Sequence, residues 1–510
     1  MGNRINNLKP INYFSDYTFK IKSGLFSNNI GEKIKLTVSL YSCIPEVNYQ
    51  INTYSKINGN KTLLIQSEKI KSNINQNIIF QTPILLDYFF EKEQFLIFEV
   101  IKYKSLITEV LTYETTIGQI VGSRNNTLNK QINLLNNEKI ILKGEKINES
   151  EKFLDLHFRI KSNKPIKYKK KKNKIFILIK DKIDLYLTEA LKNNGNFSPI
   201  HIPLNLLKSN FTLIFYNSKK EIIKVETTTL KEITKNFKTT INLSNKKLLY
   251  LTSDSLIRKS YSFMDYLQLG IQIKLSIAID FTKSNLAPKL KDSLHNISNN
   301  NINDYEKVII SCGNIISYYN YEQLYHVFGF GAKLKNNNKI SHCFPINFNE
   351  ENPNIYTIDN VIKLYHNCLN EIEFSEPTFF SPIINKVNEI IKENDDSYKY
   401  NILMILTDGN VQDVKNTINS IIESSFLPLS IIIIGIGNED FNQMKKLNFD
   451  EDILINKKVN FVERDFVQFV EFNKYRNNTM KLMQEVLGEI PKQVVKYYTF
   501  KRLFPDNLKK

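Results

Sequence analysis

Cysteine is scarce in this chain of 510 residues, and Cys43, Cys312, Cys343 and Cys368 stand far apart without a C-x-x-C pair. That spacing excludes a disulfide framework, a structural zinc site and a RING-type appendage. Long apolar runs are also missing. None reaches the roughly 18 residues of a spanning helix, and the best candidate, LPLSIIIIGIG at 427–437, holds Pro428 and two glycines and reads as a strand. The opening MGNRINNLKPINYFSDY lacks the apolar stretch of a secretory signal, so a cytosolic location is expected. Histidine is sparse as well: His295, His326, His342 and His366 are dispersed through the second half and read as packed or surface side chains. With no His or Cys base grouped beside acidic residues, an enzyme is not expected.

A hydrophobic content of 42% with 24% charged residues and a mean hydropathy of -0.30 describes a soluble globular protein, and the length favours about three domains. The net charge of +17 is uneven: residues 1–250 hold 40 Lys and Arg against 21 Asp and Glu, residues 251–510 only 29 against 31. Any acidic partner surface is therefore expected to meet the first half. Asn- and Lys-rich tracts such as NNNINDY and KNNNK read as compositional bias in loops.

From Lys33 to about Phe237, short alternating or β-branched runs recur (KIKLTVSLY, KTLLIQS, QFLIFEVIKY, FLDLHFRI, KIFILIK, FTLIFYN, EIIKVETTT), separated by Asn-, Gly- and Lys-rich turns. The spacing is that of β-sandwiches, with room for two of about 100 residues each. After Leu251 the pattern changes. Strands IKLSIAID, YHVFGFGA, YNILMILTDG and LSIIIIGIG alternate with helical stretches DYEKVIISCGNIISYY, NVIKLYHNCLNEI, PIINKVNEIIKEN and VKNTINSIIESS, which implies a doubly wound, Rossmann-type α/β domain around a parallel sheet. The expected fold class is thus multidomain: two all-β sandwiches followed by an α/β domain, with boundaries at 12–145, 150–245 and 251–500. The two β halves can be distant copies of one module.

The first strand of the α/β domain ends in D-F-T-K-S, so Asp280, Thr282 and Ser284 alternate just past a strand's carboxyl end, where ligands bind in such sheets. One carboxylate and two hydroxyls form an oxygen-only set suited to a hard divalent ion such as Mg²⁺ or Mn²⁺. The alternative is an ordinary strand-end turn capped by Ser and Thr. Thr378, in the loop EPTFFSP before a helix, and Asp408, ending the buried strand ILMILTDG, can converge on the same sheet edge. This set resembles the metal-ion-dependent adhesion site (MIDAS) of von Willebrand factor A domains.

The resemblance extends further. AIDFTKSN, FGFGAK, CFPINFNEENP, EPTFFSPIIN, ILTDGNVQD, LPLSIIIIGIGNEDFNQM, RDFVQFVEF and EIPKQVVKYY are similar to copine motifs in the copine order, from about Leu251 to Tyr498. Copines carry two C2 domains before this A-like domain. DYFFEKEQFLIFEV and TIGQIVGS are similar to their first C2 domain, and NFSPIHIPLNLL faintly to the second. The resemblance implies calcium-dependent phospholipid binding by the C2 domains and client recruitment by the A-like domain.

Against that pattern, the segment after FLIFEV reads IKYKS, placing Lys102 and Lys104 where the family has calcium-binding aspartates, and S-C-I-P-E (residues 42–46) stands where the family has S-D-P. Ammonium groups repel Ca²⁺ by several kcal/mol at contact, so Ca²⁺ is not expected at the first C2-like domain. Positive loops still attract anionic lipid: Lys102, Lys104 and the run Lys167, Lys169, Lys170, Lys171, Lys172 and Lys174 are candidate membrane contacts, each of roughly 1 kcal/mol near an acidic leaflet. The alternative for the run is a solvated face. Gly2 meets the glycine requirement of myristoylation, although Asn6 stands where Ser or Thr is preferred.

The function expected is a cytosolic adaptor, peripherally associated with the plasma membrane or another acidic membrane. It would dock on acidic phospholipid and recruit a client protein through the metal-dependent domain, without a small-molecule substrate. A basic nucleic-acid-binding protein is the competing reading, disfavoured because the aromatics among the lysines lie at strand spacing. A copine-like ubiquitin ligase is opposed by the missing RING cysteines.

Overall fold

The structure is a computed structural model that describes residues 31–297, 302–442, 444 and 465–508, apart from 43, 58, 74–75, 105–107, 136, 148–151, 163–174, 181–183, 189–199, 205–206, 208–209, 218–220, 236, 244–246, 254, 260 and 410. Gly2 and the lysines from Lys167 to Lys174 lie outside the described residues. The described chain divides into two compact units, one within Asn148–Tyr261 and one formed by Gly31–Ile147 together with Ser262–Lys510.

In the larger unit, Gly31–Ile147 is a sandwich of two antiparallel sheets. One pairs Glu32–Ser42 with Glu138–Lys146, the other Asn48–Ile57 with Phe95–Tyr103. Period-2 alternation drives it: Ile34, Leu36, Val38 and Leu40 face inward while Lys33, Lys35 and Thr37 face out or lie at the rim. The helix Ile117–Gly122, capped by Thr116 Oγ1, links strands Thr108–Thr116 and Thr127–Asn133.

The smaller unit is a second β arrangement whose core includes Leu154, Ile177, Ile202, Phe211, Leu213 and Leu251. A short helix, Leu230–Thr234, recurs at the corresponding place between strands Ile222–Thr229 and Lys238–Leu243, with a Thr229–Glu232 capping box. This matches the reading of two copies of one module. The expected boundaries need correction here. Strands Lys247–Ser253 and Leu256–Lys259 pair with Phe158–Ser162 and Lys152–Leu156, so the second sandwich extends to Lys259 and the α/β domain begins at Ser262, not Leu251. The strand KLLYLTS, Lys247–Ser253, runs through the boundary expected at Leu251, and Leu256–Lys259 follows it in the same sandwich.

The α/β domain is built on parallel strands in the order Leu324–Phe330, Gln272–Asp280, Lys399–Thr407, Leu429–Gly435, Val467–Glu471. Strand Leu429–Gly435 is buried at every position, as its run of isoleucines requires. Helices Asp304–Ser317, Ile358–Glu371, Ser381–Asn394 and Val414–Ser424 fall on the helical stretches of the sequence. After Gln272–Asp280 the chain winds to one side, to Leu324–Phe330, and then returns to add Lys399–Thr407 on the other. The sheet's switch point therefore lies between the strands that end at Asp280 and Thr407, with Asp408 just past the second.

Candidate metal centre

Register sets the site. Ile279 pairs with Leu406, which puts Asp280 level with Thr407 and one residue short of Asp408. Asp280 is wholly buried, and its Oδ1 accepts from the Thr282 backbone N–H at 2.9 Å and from Thr282 Oγ1 at 2.6 Å. Oδ2 accepts from Thr407 Oγ1 at 2.6 Å. Thr282 Oγ1 and Ser284 Oγ are 3.0 Å apart, and Ser284 Oγ donates to Asp408 Oδ1 at 2.9 Å. An unbroken chain of short contacts thus runs from one carboxylate to the other, bringing together Asp280, Thr282, Ser284 and Asp408.

Thr378 reaches the same edge by its backbone. Its carbonyl accepts from Gln412 N–H at 2.9 Å, and Asp413 accepts from the N–H groups of Phe380 and Ser381 at 3.0 Å each, tying this loop to the loop after Asp408. Among the described residues the Thr378 hydroxyl hydrogen-bonds neither carboxylate.

Burial holds the Asp280 carboxyl above the usual carboxylate range, and burial followed by the charge of Asp280 does the same to Asp408. Among the described residues neither acid is ion-paired. Two buried carboxylates without a basic partner, ringed by hydroxyls, are what a hard divalent cation would compensate, so the donor set fits Mg²⁺ or Mn²⁺. Among the described residues no three His, Cys, Asp or Glu side chains group as a metal cluster; the hydroxyls are needed to complete a set. Ser284 is exposed and a Cβ at Gly409 would meet only Ser284 Oγ, at 3.9 Å, so the site opens to solvent there.

Two residues outside the expected set support it. Thr407, the first residue of the T-D-G motif, orients Asp280 and was legible only once the register was known. His295 is fully buried beneath the strand end, with Nε2 2.8 Å from the Asp280 carbonyl oxygen and Nδ1 2.7 Å from Tyr365 Oη. A carbonyl only accepts, so Nε2 carries the proton and Nδ1 accepts from Tyr365. Burial pushes this imidazole down to about 3, so it is neutral and fixes the backbone at Asp280. No sequence pattern marks a lone histidine for that role.

The first sandwich corrects one expectation. Lys102 is 0% exposed. Its Nζ lies 2.5 Å from Glu138 Oε2 and 3.3 Å from Glu109 Oε1, and Tyr49 Oη donates to Glu138 Oε1 at 2.7 Å. The alternation of strand Phe95–Tyr103 turns Phe98, Val100 and Lys102 inward, so Lys102 cannot touch a lipid headgroup. Lys104, one residue past the strand, is exposed and pairs with Glu109 at 3.0 Å.

A family model described as Copine matches residues 293–506. Among solved structures, a calcium-bound pair of C2 domains from extended-synaptotagmin 2 is similar over 46% of this chain and 99% of that one, at 7% identity and a TM-score of 0.18. The VWA domain of SpRpn10 is similar over 39% of this chain and 87% of that one (12% identity, TM-score 0.27), and manganese-loaded TRAP protein of Plasmodium vivax over 42% and 74% (10% identity, TM-score 0.26). The scores are too low to carry an argument, so the architecture rests on the strands described above. Residues 293–506 thus match the copine domain, and the two β-sandwiches precede it in the chain.

Proposed function

We propose that this chain is an adaptor that holds a divalent ion at the carboxyl edge of its parallel sheet and uses it to bind an acidic group of a client protein, while the β-sandwiches dock on acidic phospholipid. The observation that carries the reading is the pair of buried carboxylates, Asp280 and Asp408, not ion-paired among the described residues and linked through Thr282 and Ser284 at the switch point. Asp280, Ser284, Thr378 and Asp408 would hold the ion, with Thr282 beside them. The ion supplies an open coordination position for a carboxylate; the protein's hydroxyls and the neutral His295 keep the site in place. No covalent chemistry is asked of it, and the ion binds without reacting.

Docking of the first sandwich is proposed to be independent of calcium. In support, the carboxylates nearest Lys102 already have a cation, the lysine's own ammonium, attached to the chain. Membrane association is then peripheral, consistent with the finding that among the described residues no helix is long and apolar enough to cross a membrane.

Titrating Mn²⁺ into the whole chain by calorimetry tests the metal reading. We expect saturable binding that is lost in Asp280→Asn and in Asp408→Asn; equal binding by both variants would sink it. Co-sedimentation of the whole chain with phosphatidylserine vesicles, with Ca²⁺ or with EDTA at fixed ionic strength, tests the other half. Release by EDTA would overturn calcium independence.

A further inference from the structure

The two most exposed large apolar side chains among the described residues are neighbours: Leu134 is 84% and Leu135 95% exposed. They form the apex of the hairpin joining Thr127–Asn133 to Glu138–Lys146. The apex is held in shape: Leu135 N–H donates to Asn133 Oδ1 at 3.0 Å, and Gln131 Nε2 reaches Asn137 Oδ1 at 3.4 Å. Its position in the sandwich is fixed from below. Glu138, the first residue of the return strand, is bonded to Lys102 at the end of Phe95–Tyr103 and to Tyr49 at the start of Asn48–Ile57. The leucines therefore project from the same end of the sandwich as Lys104.

Exposing two leucines at a tip is unfavourable in water unless something covers them. Two leucines in a short turn offer too little area for a stable protein interface, which buries on the order of 800 Å² per partner. They do suit a soft apolar phase that closes around them. Lys130 and Lys139 flank the apex on its two strands, and neither is ion-paired among the described residues. The first half of the chain carries the whole positive excess, 40 basic residues against 21 acidic ones. Apolar tip and basic collar together match an anionic lipid surface, with acyl chains beneath phosphate.

We propose that the Leu134–Leu135 apex inserts into the boundary of an anionic membrane, making the first sandwich's contact apolar at its centre. This rests on the membrane reading given above and names the element that carries it.

The chain contains no tryptophan, so Leu135→Trp in the full chain places a sole reporter at the apex. With vesicles of phosphatidylcholine and phosphatidylserine in EDTA, we expect a blue shift of its emission and quenching by brominated acyl chains. Leu134→Ser/Leu135→Ser, at exposed positions where the fold does not depend on them, is expected to weaken co-sedimentation about tenfold or more, the scale of two lost leucine contacts. If the natural chain pellets with vesicles while the serine variant pellets equally and the tryptophan shows no shift, the apex is overturned and the membrane reading stands. If the natural chain does not pellet at all, both fall. Equal binding to phosphatidylcholine alone would overturn the anionic requirement.

Discussion

Lys102 shows how far one residue can be misread from sequence. Its type and position suggested a surface charge at a loop, but the period of the strand was the better guide: every second residue from Leu96 onward faces the core, and Lys102 is one of them. A buried ammonium needs its carboxylate, so Lys102→Ala strands the Glu138 charge and should cost about 3–5 kcal/mol of stability. Lys102→Met combined with Glu138→Gln removes both charges and leaves Tyr49 an oxygen to bond, so urea denaturation should show most of the loss recovered. A double variant as unstable as Lys102→Ala would contradict the pairing. His295 makes a pH argument. Its folded value is held near 3 by burial, below the ordinary 6.5, so the unfolded chain binds a proton that the folded chain refuses. Its contribution is complete above pH 6.5 and declines as pH falls towards 3. Asp280 and Asp408, held high by burial, act with the opposite sign where these windows overlap. The difference between the natural chain and His295→Gln isolates the histidine, and it should shrink as denaturation is repeated from about pH 7 down to about pH 4; a constant difference would refute the neutral, buried assignment.

At the level of elements, the strands and helices of the α/β domain were legible because each pattern had one period and a clear end. The D-x-T-x-S and T-D-G motifs pointed to residues that do come together, because both sit where buried strands stop. What remained hidden was pairing: that Thr407 faces Asp280 depends on which strand lies beside which, and that KLLYLTS belongs to the second sandwich depends on partners far upstream, in Phe158–Ser162. The loops above the sheet give a prediction. Asp413 accepts from Phe380 and Ser381 N–H and from Thr417 Oγ1, joining the start of helix Ser381–Asn394 to the loop after Asp408. Losing such a cap costs roughly 1 kcal/mol, and it would also free Thr378. Asp413→Ala should therefore weaken Mn²⁺ binding by calorimetry while Asp413→Asn restores part of it. Gly409→Val should reduce client or carboxylate binding without lowering the denaturation midpoint, since only Ser284 stands near the added side chain. A Gly409→Val chain that binds normally would show that the approach lies elsewhere.

For the whole molecule, sequence order conceals a grouping. The first sandwich, separated from the α/β domain by the whole of Asn148–Tyr261, packs on it within one compact unit, while the second sandwich forms its own. The junction is specific. Glu32 Oε2 accepts from Ser262 Oγ at 2.6 Å, Lys146 pairs with Asp265 at 2.8 Å, and Tyr88 Oη donates to Tyr319 Oη at 2.7 Å, with Phe90 against the Tyr319 ring at 4.7 Å. Burial raises Glu32, as expected of an acid enclosed between packed elements. Approach is close enough that a Cβ on Gly122 would run into the Tyr318 carbonyl oxygen. Nothing in local periodicity reveals such contacts, because both faces are also needed for their own cores. Tyr319 is almost wholly buried just past the end of helix Asp304–Ser317, and truncating a buried aromatic costs about 3–5 kcal/mol. If the two parts fold as one unit, Tyr319→Ala should raise amide hydrogen exchange on both sides of the junction, in strand Ile84–Tyr88 of the sandwich and in helix Asp304–Ser317, with strand Asn210–Asn217 of the other unit as the internal reference. Exchange that rises in the helix while the sandwich strand stays protected would show the contacts to be too weak to couple them, and the first sandwich would then move independently of the sheet edge that carries Asp280 and Asp408.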